Sequence, residues 1–133
     1  SKLSLNYRSS NLKDTDIITS AYFNLSYGQI EKIDKKLNMI KNKRENTQPI
    51  REKTSGSTFK NTSKYFAAEL IDKAGCKGLE EGDAVVSLEH ANFLINKGKA
   101  SAKDIEILGQ KVIDKVFNKF DVLLEWEIKV IGD

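Results

Sequence analysis

The sequence predicts an α+β fold, arranged as a single compact domain with a mixed sheet, a long C-terminal helix and a final strand. Short apolar runs typical of strands are mixed with amphipathic helical patterns, and no regular βαβ repeat is present. With 133 residues, the chain can bury about two-thirds of its unfolded surface, so one core is expected without disulfides or metal.

The N-terminal third predicts two strands and a helix. Apolar and polar residues alternate over residues 3–7, and residues 17–25 are rich in Ile, Tyr and Phe, which favour strands. A helical pattern follows Gln29 and ends at residues 46–49, which contain the only proline. Its apolar stripe consists of Ile30, Ile33, Leu37 and Ile40. We expect its lysine-rich face to be solvated.

The middle of the chain predicts a loop, a short helix and two buried strands. Residues 46–65 have few apolar side chains and a composition typical of functional or disordered loops. A short amphipathic helix follows and ends at Gly75, because glycine favours helix C-termini. The apolar runs at 84–86 and 92–95 predict two short strands.

The last third predicts a long helix and a closing strand. Ser101 occupies an N-cap position, and Asp104 follows three residues later, where its charge favours the first-turn amides. The apolar period consists of Ile105, Leu108, Val112, Val116 and Phe120. Residues 121–131 alternate and predict the final strand.

Composition limits the classes of function. The chain has 22 basic and 19 acidic residues, and the net charge of +3 is too small to indicate nucleic acid. Cys76 is the only cysteine, and neither a leader nor an 18-residue apolar span is present, so we expect a cytoplasmic protein with no membrane partner. The chain begins at Ser1 without an initiator Met, which suggests a piece of a longer protein.

The run Gly-Ser-Thr-Phe-Lys-Asn at residues 56–61 places a hydroxyl, a cation and an amide behind a flexible glycine. Such a run can bind an anion and move a proton. The same residues also fit an ordinary turn into a strand. The run alone leaves both interpretations open.

Four motifs in order resemble the C-terminal part of the UDP-N-acetylenolpyruvoylglucosamine reductase family. They are residues 56–61, Ala-Gly-Cys-Lys-Gly at 74–78, His-Ala-Asn-Phe at 90–93 and Leu-Glu-Trp-Glu-Ile at 124–128. These flavoenzymes act in bacterial peptidoglycan precursor synthesis. The resemblance implies reduction of UDP-N-acetylglucosamine enolpyruvate to UDP-N-acetylmuramate, with FAD as cofactor and NADPH as hydride donor.

The resemblance also implies three catalytic residues. Ser57 corresponds to the general acid that protonates the reacting carbon, and a serine hydroxyl needs neighbours that tune it. Arg8, in Tyr-Arg-Ser, corresponds to the arginine that contacts the enolpyruvyl group, where it would stabilise developing charge. Glu127 corresponds to a glutamate of the same active site. Without the resemblance, Glu127 fits a solvent-facing carboxylate on a strand.

Three further residues are predicted to bind substrate. The resemblance implies that Asn61 contacts the nucleotide diphosphate, and Lys60 offers a cation beside it. Tyr27 matches a tyrosine that packs on the uracil in some family members. We predict no metal site, and interpret the single histidine, His90, and the lone Cys76 as structural residues.

The resemblance divides the chain into residues 1–19, the tail of a preceding flavin-binding domain, and residues 20–133, the C-terminal substrate-binding domain. FAD would be bound mainly by domains absent from this chain, so we expect the isolated fragment to be inactive. A stand-alone module that binds a nucleotide diphosphate or another anion is the main alternative. A lysine-rich nucleic-acid-binding domain is disfavoured, because no basic strand face carries interleaved aromatics.

Overall fold

The computed structural model describes residues 3–13 and 15–132. Its helices and strands confirm the α+β class. In chain order they are β1 (Leu5–Asn6), β2 (Ser9–Ser10), α1 (Ile30–Thr47), α2 (Ala67–Lys73), β3 (Glu80–Glu81), β4 (Ala84–Val86), β5 (Leu94–Asn96) and α3 (Ala102–Phe120).

The central sheet is antiparallel rather than mixed. Its order is β3-β4-β5, with Glu80 opposite Val85 and Val86 opposite Leu94. The connections between these strands are short, and short connections join neighbouring strands in opposite directions. Strand β3 was not predicted, because its two glutamates lack the alternation that indicates a strand.

Helix α3 is the element that the sequence predicts best. The Ser101 hydroxyl accepts a hydrogen bond from the Asp104 amide at 3.1 Å, and the Asp104 carboxylate accepts one from the Ser101 amide at 2.8 Å. The hydrogen bond that the Asp104 carboxylate accepts from the Ser101 amide, and then one with the Ser101 side chain, lower the pKa of Asp104. The buried face of α3 packs on α2 and on all three strands of the central sheet, so the core lies between them.

The C-terminal segment, residues 121–132, packs on α3 through Trp126. A Cβ atom at Gly109 of α3 would lie only 1.9 Å from a carbon of the Trp126 ring. The same ring packs against Phe59, with ring centroids 5.0 Å apart. Gly109 therefore makes room for the residue that attaches the C-terminal segment to the core.

Two of the predicted strands are wrong, and a third is shorter than predicted. Residues 121–131 form no strand, and only Trp126 makes a single antiparallel bridge, to Phe59. Residues 17–25 have no regular structure and are exposed, because no described strand lies beside them to complete a hydrogen-bond ladder. The predicted strand at 3–7 shortens to β1, which turns back into β2.

Helix α1 forms where the sequence predicts it, but its apolar stripe remains exposed. None of its residues is buried, and it contacts no other helix or strand in the described part of the chain. Within residues 3–13 and 15–132, none of the helices has the length and apolar character needed to cross a membrane.

Replacing Gly109 with alanine should destabilise the protein. Alanine favours helix by about 1 kcal/mol over glycine, but overpacking against Trp126 costs about 1–3 kcal/mol and should outweigh that gain. Urea unfolding measures the free energy of unfolding. Gln110→Ala, at an exposed neighbouring position on α3, is the control and should stay within about 0.5 kcal/mol of the native chain. A Gly109→Ala variant as stable as the native chain would contradict the packing of Trp126.

Candidate active site

The loop after α1, residues 48–66, pairs with the rest of the protein through three isolated β-bridges. Lys53 pairs with Asn96, Ser57 with Phe93 and Phe59 with Trp126, all antiparallel. Residues 53–59 therefore run beside β5 and the residues before it, and then meet the C-terminal segment. This arrangement places the predicted Gly-Ser-Thr run at the junction between the sheet and the chain end.

A β-bulge precedes Ser57. Between the first two bridges, residues 54–56 lie opposite residues 94–95, so the loop side carries one extra residue. Gly56 lies there with a φ of 92°, a conformation that glycine adopts without steric cost. Bulges redirect the side chains that follow them and are common beside active sites. The bulge therefore determines the direction in which Ser57 points.

Arg8 reaches the same place from the other end of the chain. It lies in the turn between β1 and β2 with a φ of 62°, and its Nη1 atom is 2.7 Å from Oε1 of Glu127. A hydrogen bond with the Tyr7 side chain, and then the charge of Glu127, raise the pKa of Arg8. The guanidinium therefore stays charged at any ordinary pH.

Arg8, Ser57 and Glu127 line one cavity of about 510 Å³. The other lining residues are Ser55, Ile128 and Lys129. The lining thus contains two cations, one carboxylate and two hydroxyls, a combination that favours a ligand with an anionic group. The structure brings together all three residues predicted to be catalytic.

Two features of the lining are available for a ligand. Among the described residues, Oε2 of Glu127 is buried without a hydrogen-bond partner. Lys129 forms no ion pair with any residue that the structure describes. A buried carboxylate oxygen without a donor and an unpaired ammonium can each take up a complementary group of a bound molecule.

The residues predicted to bind substrate lie outside this cavity. Lys60 and Asn61 line a separate, smaller cavity of about 90 Å³. The Asn61 Oδ1 atom accepts the Ala67 amide at 2.9 Å, which leaves its NH₂ group to donate, and Lys60 is 3.3 Å from Glu125. Tyr27 is fully exposed in the segment before α1 and lines neither cavity.

Sequence reasoning missed Ser55 and Lys129. Lys129 could have been found, because Glu127 and Lys129 are two residues apart in an extended segment and such residues share a side. Ser55 gave no such signal, since its contact with the cavity depends on the bulge at Gly56.

The geometry around His90 and Cys76 fits structural roles. Nδ1 of His90 accepts the Asn92 amide at 3.3 Å, and its ring meets the edge of Phe93. Burial lowers the pKa of His90, and the charge of Lys77 adds to this effect, whereas burial raises the pKa of Cys76. In the described part of the chain, no three His, Cys, Asp or Glu side chains gather as a metal site would require.

A family profile described as UDP-N-acetylenolpyruvoylglucosamine reductase, C-terminal domain, matches residues 48–131. The UDP-N-acetylenolpyruvoylglucosamine reductase of Novosphingobium aromaticivorans is 49% identical over 132 residues, which are 99% of this chain and 44% of the relative. The corresponding reductase of Rickettsia conorii is 49% identical over 131 residues, 98% of this chain and 44% of the relative.

A solved structure has a similar fold. The crystal structure of UDP-N-acetylenolpyruvylglucosamine reductase from Thermus caldophilus matches with a TM-score of 0.79 and 38% identity, covering 94% of this chain and 45% of that one. The chain thus spans less than half the length of the relatives that it matches.

The stability of the protein should fall as the pH drops below the ordinary His90 pKa of 6.5. Because folding lowers this pKa, the unfolded chain takes up the proton first, so stability is complete above pH 6.5 and is lost as the pH falls toward the folded pKa. Urea unfolding at about pH 7.5 and about pH 5.5 measures the loss. His90 is the only histidine, so His90→Gln should flatten the dependence. Equal losses of stability in the native chain and in His90→Gln would contradict the assignment of this pH dependence to His90.

Proposed function

This chain belongs to the UDP-N-acetylenolpyruvoylglucosamine reductase C-terminal domain family, and we propose that it forms the substrate-binding part of such a reductase. The reaction is the reduction of UDP-N-acetylglucosamine enolpyruvate to UDP-N-acetylmuramate, in the cytoplasm, for peptidoglycan synthesis. The observation that supports it most directly is the cavity shared by Arg8, Ser57 and Glu127, because it joins a cation, a hydroxyl and a carboxylate from distant parts of the chain.

Four of the six lining residues have a chemical role in this proposal. Arg8 binds the carboxylate of the enolpyruvyl group and stabilises the negative charge that develops on the adjacent carbon during reduction. Ser57 donates the proton that this carbon receives. Glu127 orients Arg8 through the 2.7 Å contact, and its unpaired oxygen remains free to accept a hydrogen bond from the substrate. Lys129 adds a second positive charge at the cavity.

The nucleotide end of the substrate extends, in this proposal, toward the smaller cavity. The free NH₂ group of Asn61 donates to the diphosphate, and Lys60 exchanges Glu125 for a phosphate oxygen. That exchange costs little free energy, since exposed ion pairs contribute about 0–1 kcal/mol to stability. Tyr27 packs on the uracil, and its full exposure leaves its ring available for stacking.

The cavity shared by Arg8, Ser57 and Glu127 does not fit a flavin. The larger cavity has one apolar lining residue, Ile128, and no aromatic face on which a flavin ring could lie. We therefore assign FAD, and the hydride supplied through it from NADPH, to the part of the protein that precedes this chain. Residues 1–19 are the tail of that flavin-binding part, and residues 20–133 are the substrate-binding domain.

Exposed apolar surface supports this assignment. Residues 17–25 and the apolar stripe of α1 lie open to solvent, and α1 contacts no other described helix or strand. Exposed apolar surface of this extent is typical of an interaction site. In our proposal, the preceding domains of the same protein cover it.

A stand-alone module that binds a nucleotide diphosphate or a similar anion is the second candidate. The observation in its favour is the lining itself, which provides two cations and no place for a flavin. Such a module would bind simple polyphosphates as well as the enolpyruvyl UDP-sugar.

Titration of the ¹⁵N-labelled chain with the enolpyruvyl UDP-sugar tests the proposal. We expect NMR shifts confined to residues around Ser57, Asn61 and Glu127, and none with inorganic polyphosphate. Arg8→Gln should weaken binding by about tenfold or more, because it removes a charged hydrogen bond. Arg51→Gln, which removes the same charge from an exposed arginine outside the cavity, is the matched control and should leave affinity unchanged.

The outcomes of this titration separate the two candidates. Equal shifts with polyphosphate favour the anion-binding module. The absence of shifts around Ser57 and Glu127 at millimolar substrate contradicts a substrate site in the isolated chain.

The purified chain alone should not oxidise NADPH in the presence of the enolpyruvyl UDP-sugar and FAD, because the described residues offer no site for the flavin. Loss of NADPH absorbance measures the reaction, and the Thermus caldophilus enzyme serves as the positive control. Substrate-dependent oxidation by the fragment would overturn the assignment of the flavin to the preceding part.

A further inference from the structure

We propose that Asn92 is a positioning residue of the active site, whose side chain holds the backbone that carries Ser57 in a fixed place relative to Glu127. The role of Ser57 as the acid rests on the proposed function. The contacts made by Asn92 are independent of it. Asn92 lines neither cavity, so its effect on the site is exerted through the backbone.

The amide of Asn92 pairs with the main chain of a single residue. Its Oδ1 atom accepts the Phe59 amide at 2.9 Å, and its Nδ2 atom donates to the Phe59 carbonyl at 2.9 Å. Its own carbonyl accepts the Thr58 amide at 2.8 Å. Asn92 is only 2% exposed, so water cannot replace these bonds. One residue thus makes three hydrogen bonds to two consecutive residues of the loop.

The opposite side of the same backbone holds the C-terminal segment. The Glu127 amide donates to the Thr58 carbonyl at 2.8 Å, and the Lys60 amide donates to the Glu125 carbonyl at 2.8 Å. Ser57 immediately precedes this doubly bonded stretch, and Glu127 is bonded to it directly. A displacement of residues 58 and 59 would therefore move the proposed acid and the partner of Arg8 together.

The contact requires a short side chain that carries both an acceptor and a donor. The contact needs one acceptor for the Phe59 amide and one donor for its carbonyl, with the spacing of a peptide group. An ionised aspartate keeps the acceptor but places a second negative oxygen against the carbonyl. A protonated aspartic acid has nearly the same shape and restores the donor. Asn92→Asp is therefore a substitution whose effect pH can reverse.

The environment of Asn92 defines how that test must be controlled. His90 is the titratable side chain in contact with it, since its Nδ1 atom accepts the Asn92 amide at 3.3 Å. The native chain contains the same histidine, so the difference between variant and native chain isolates residue 92. Burial and the adjacent carbonyl both favour the neutral acid and raise the pKa of an aspartate there.

The experiment is amide hydrogen exchange on the ligand-free chain at about pH 8 and about pH 5, after correction for the intrinsic pH dependence of exchange. In Asn92→Asp at the higher pH, we expect the Phe59 and Glu127 amides to exchange at least about tenfold faster than in the native chain. The Val112 amide in the core of α3 reports global unfolding and should change much less. Protection at Phe59 should return at the lower pH.

A second variant, Val112→Ala, distinguishes a change in the position of the loop from a general loss of stability. Val112→Ala leaves a void in the hydrophobic core. Val112 is buried like Asn92 and lines neither the larger nor the smaller cavity. The substitution should lower the stability of the whole chain without speeding exchange at Phe59 more than elsewhere. The ¹³C chemical shift of the Glu127 carboxyl at about pH 8 provides the site readout, and it should differ from that of the native chain in Asn92→Asp and not in Val112→Ala.

The outcomes decide the proposal without any ligand. Selective loss of protection at Phe59 and Glu127, a changed ¹³C shift of the Glu127 carboxyl at about pH 8 and rescue by acid support it. Uniform acceleration at all amides, or an unchanged ¹³C shift of the Glu127 carboxyl, overturns it. If the variant does not fold at the higher pH, its folding at the lower pH, with native protection at Phe59, supports the proposal, and failure to fold at both overturns it. Since substrate is absent, none of these results depends on whether the reductase proposal holds.

Discussion

The candidate active site depends on one short stretch of backbone, residues 57–60, that forms hydrogen bonds in two directions. On one side it pairs with Asn92 and Phe93, and on the other with the segment 125–127. Neither side is a full ladder, because each consists of a bridge and a few neighbouring bonds. The buried amide of Asn92 supplies the bonds that a longer strand would otherwise provide, which is why the loop can be both irregular and fixed.

Apolar packing beneath the cavity makes this arrangement stable. Phe59 and Trp126 are bridged in the backbone and in ring contact, and the Trp126 ring occupies the space that Gly109 leaves on α3. Burial of two large aromatic rings contributes several kcal/mol, more than the polar contacts above them. The hydroxyl and the carboxylate of the site are therefore carried by residues adjacent to the best-packed part of the molecule.

The parts of the fold that were predicted correctly follow local rules. Helix α3 was predicted because its apolar period and its capping pair are encoded within twenty residues, and β4 is a short apolar run. Residues 17–25 were predicted wrongly, since a strand-like composition forms a strand only where a partner strand is available. The site was predicted partly through family resemblance, but the place of Ser55 in its lining and the proposed role of Asn92 depend on pairings that no local pattern encodes.

Arg8 is held at the site by fewer contacts than the other residues of the site. Hairpin β1–β2, which carries it, contacts no other described helix or strand. Its link to the body is the ion pair with Glu127, whose side chains are 47% and 22% exposed. An exposed ion pair contributes too little to hold a hairpin whose ordering costs about 1 kcal/mol for each residue. The contact with Glu127 therefore requires additional support, either from a ligand carboxylate shared by Arg8 and Lys129 or from the protein that precedes this chain. In either case, the site is complete only when the N-terminal hairpin is held in place.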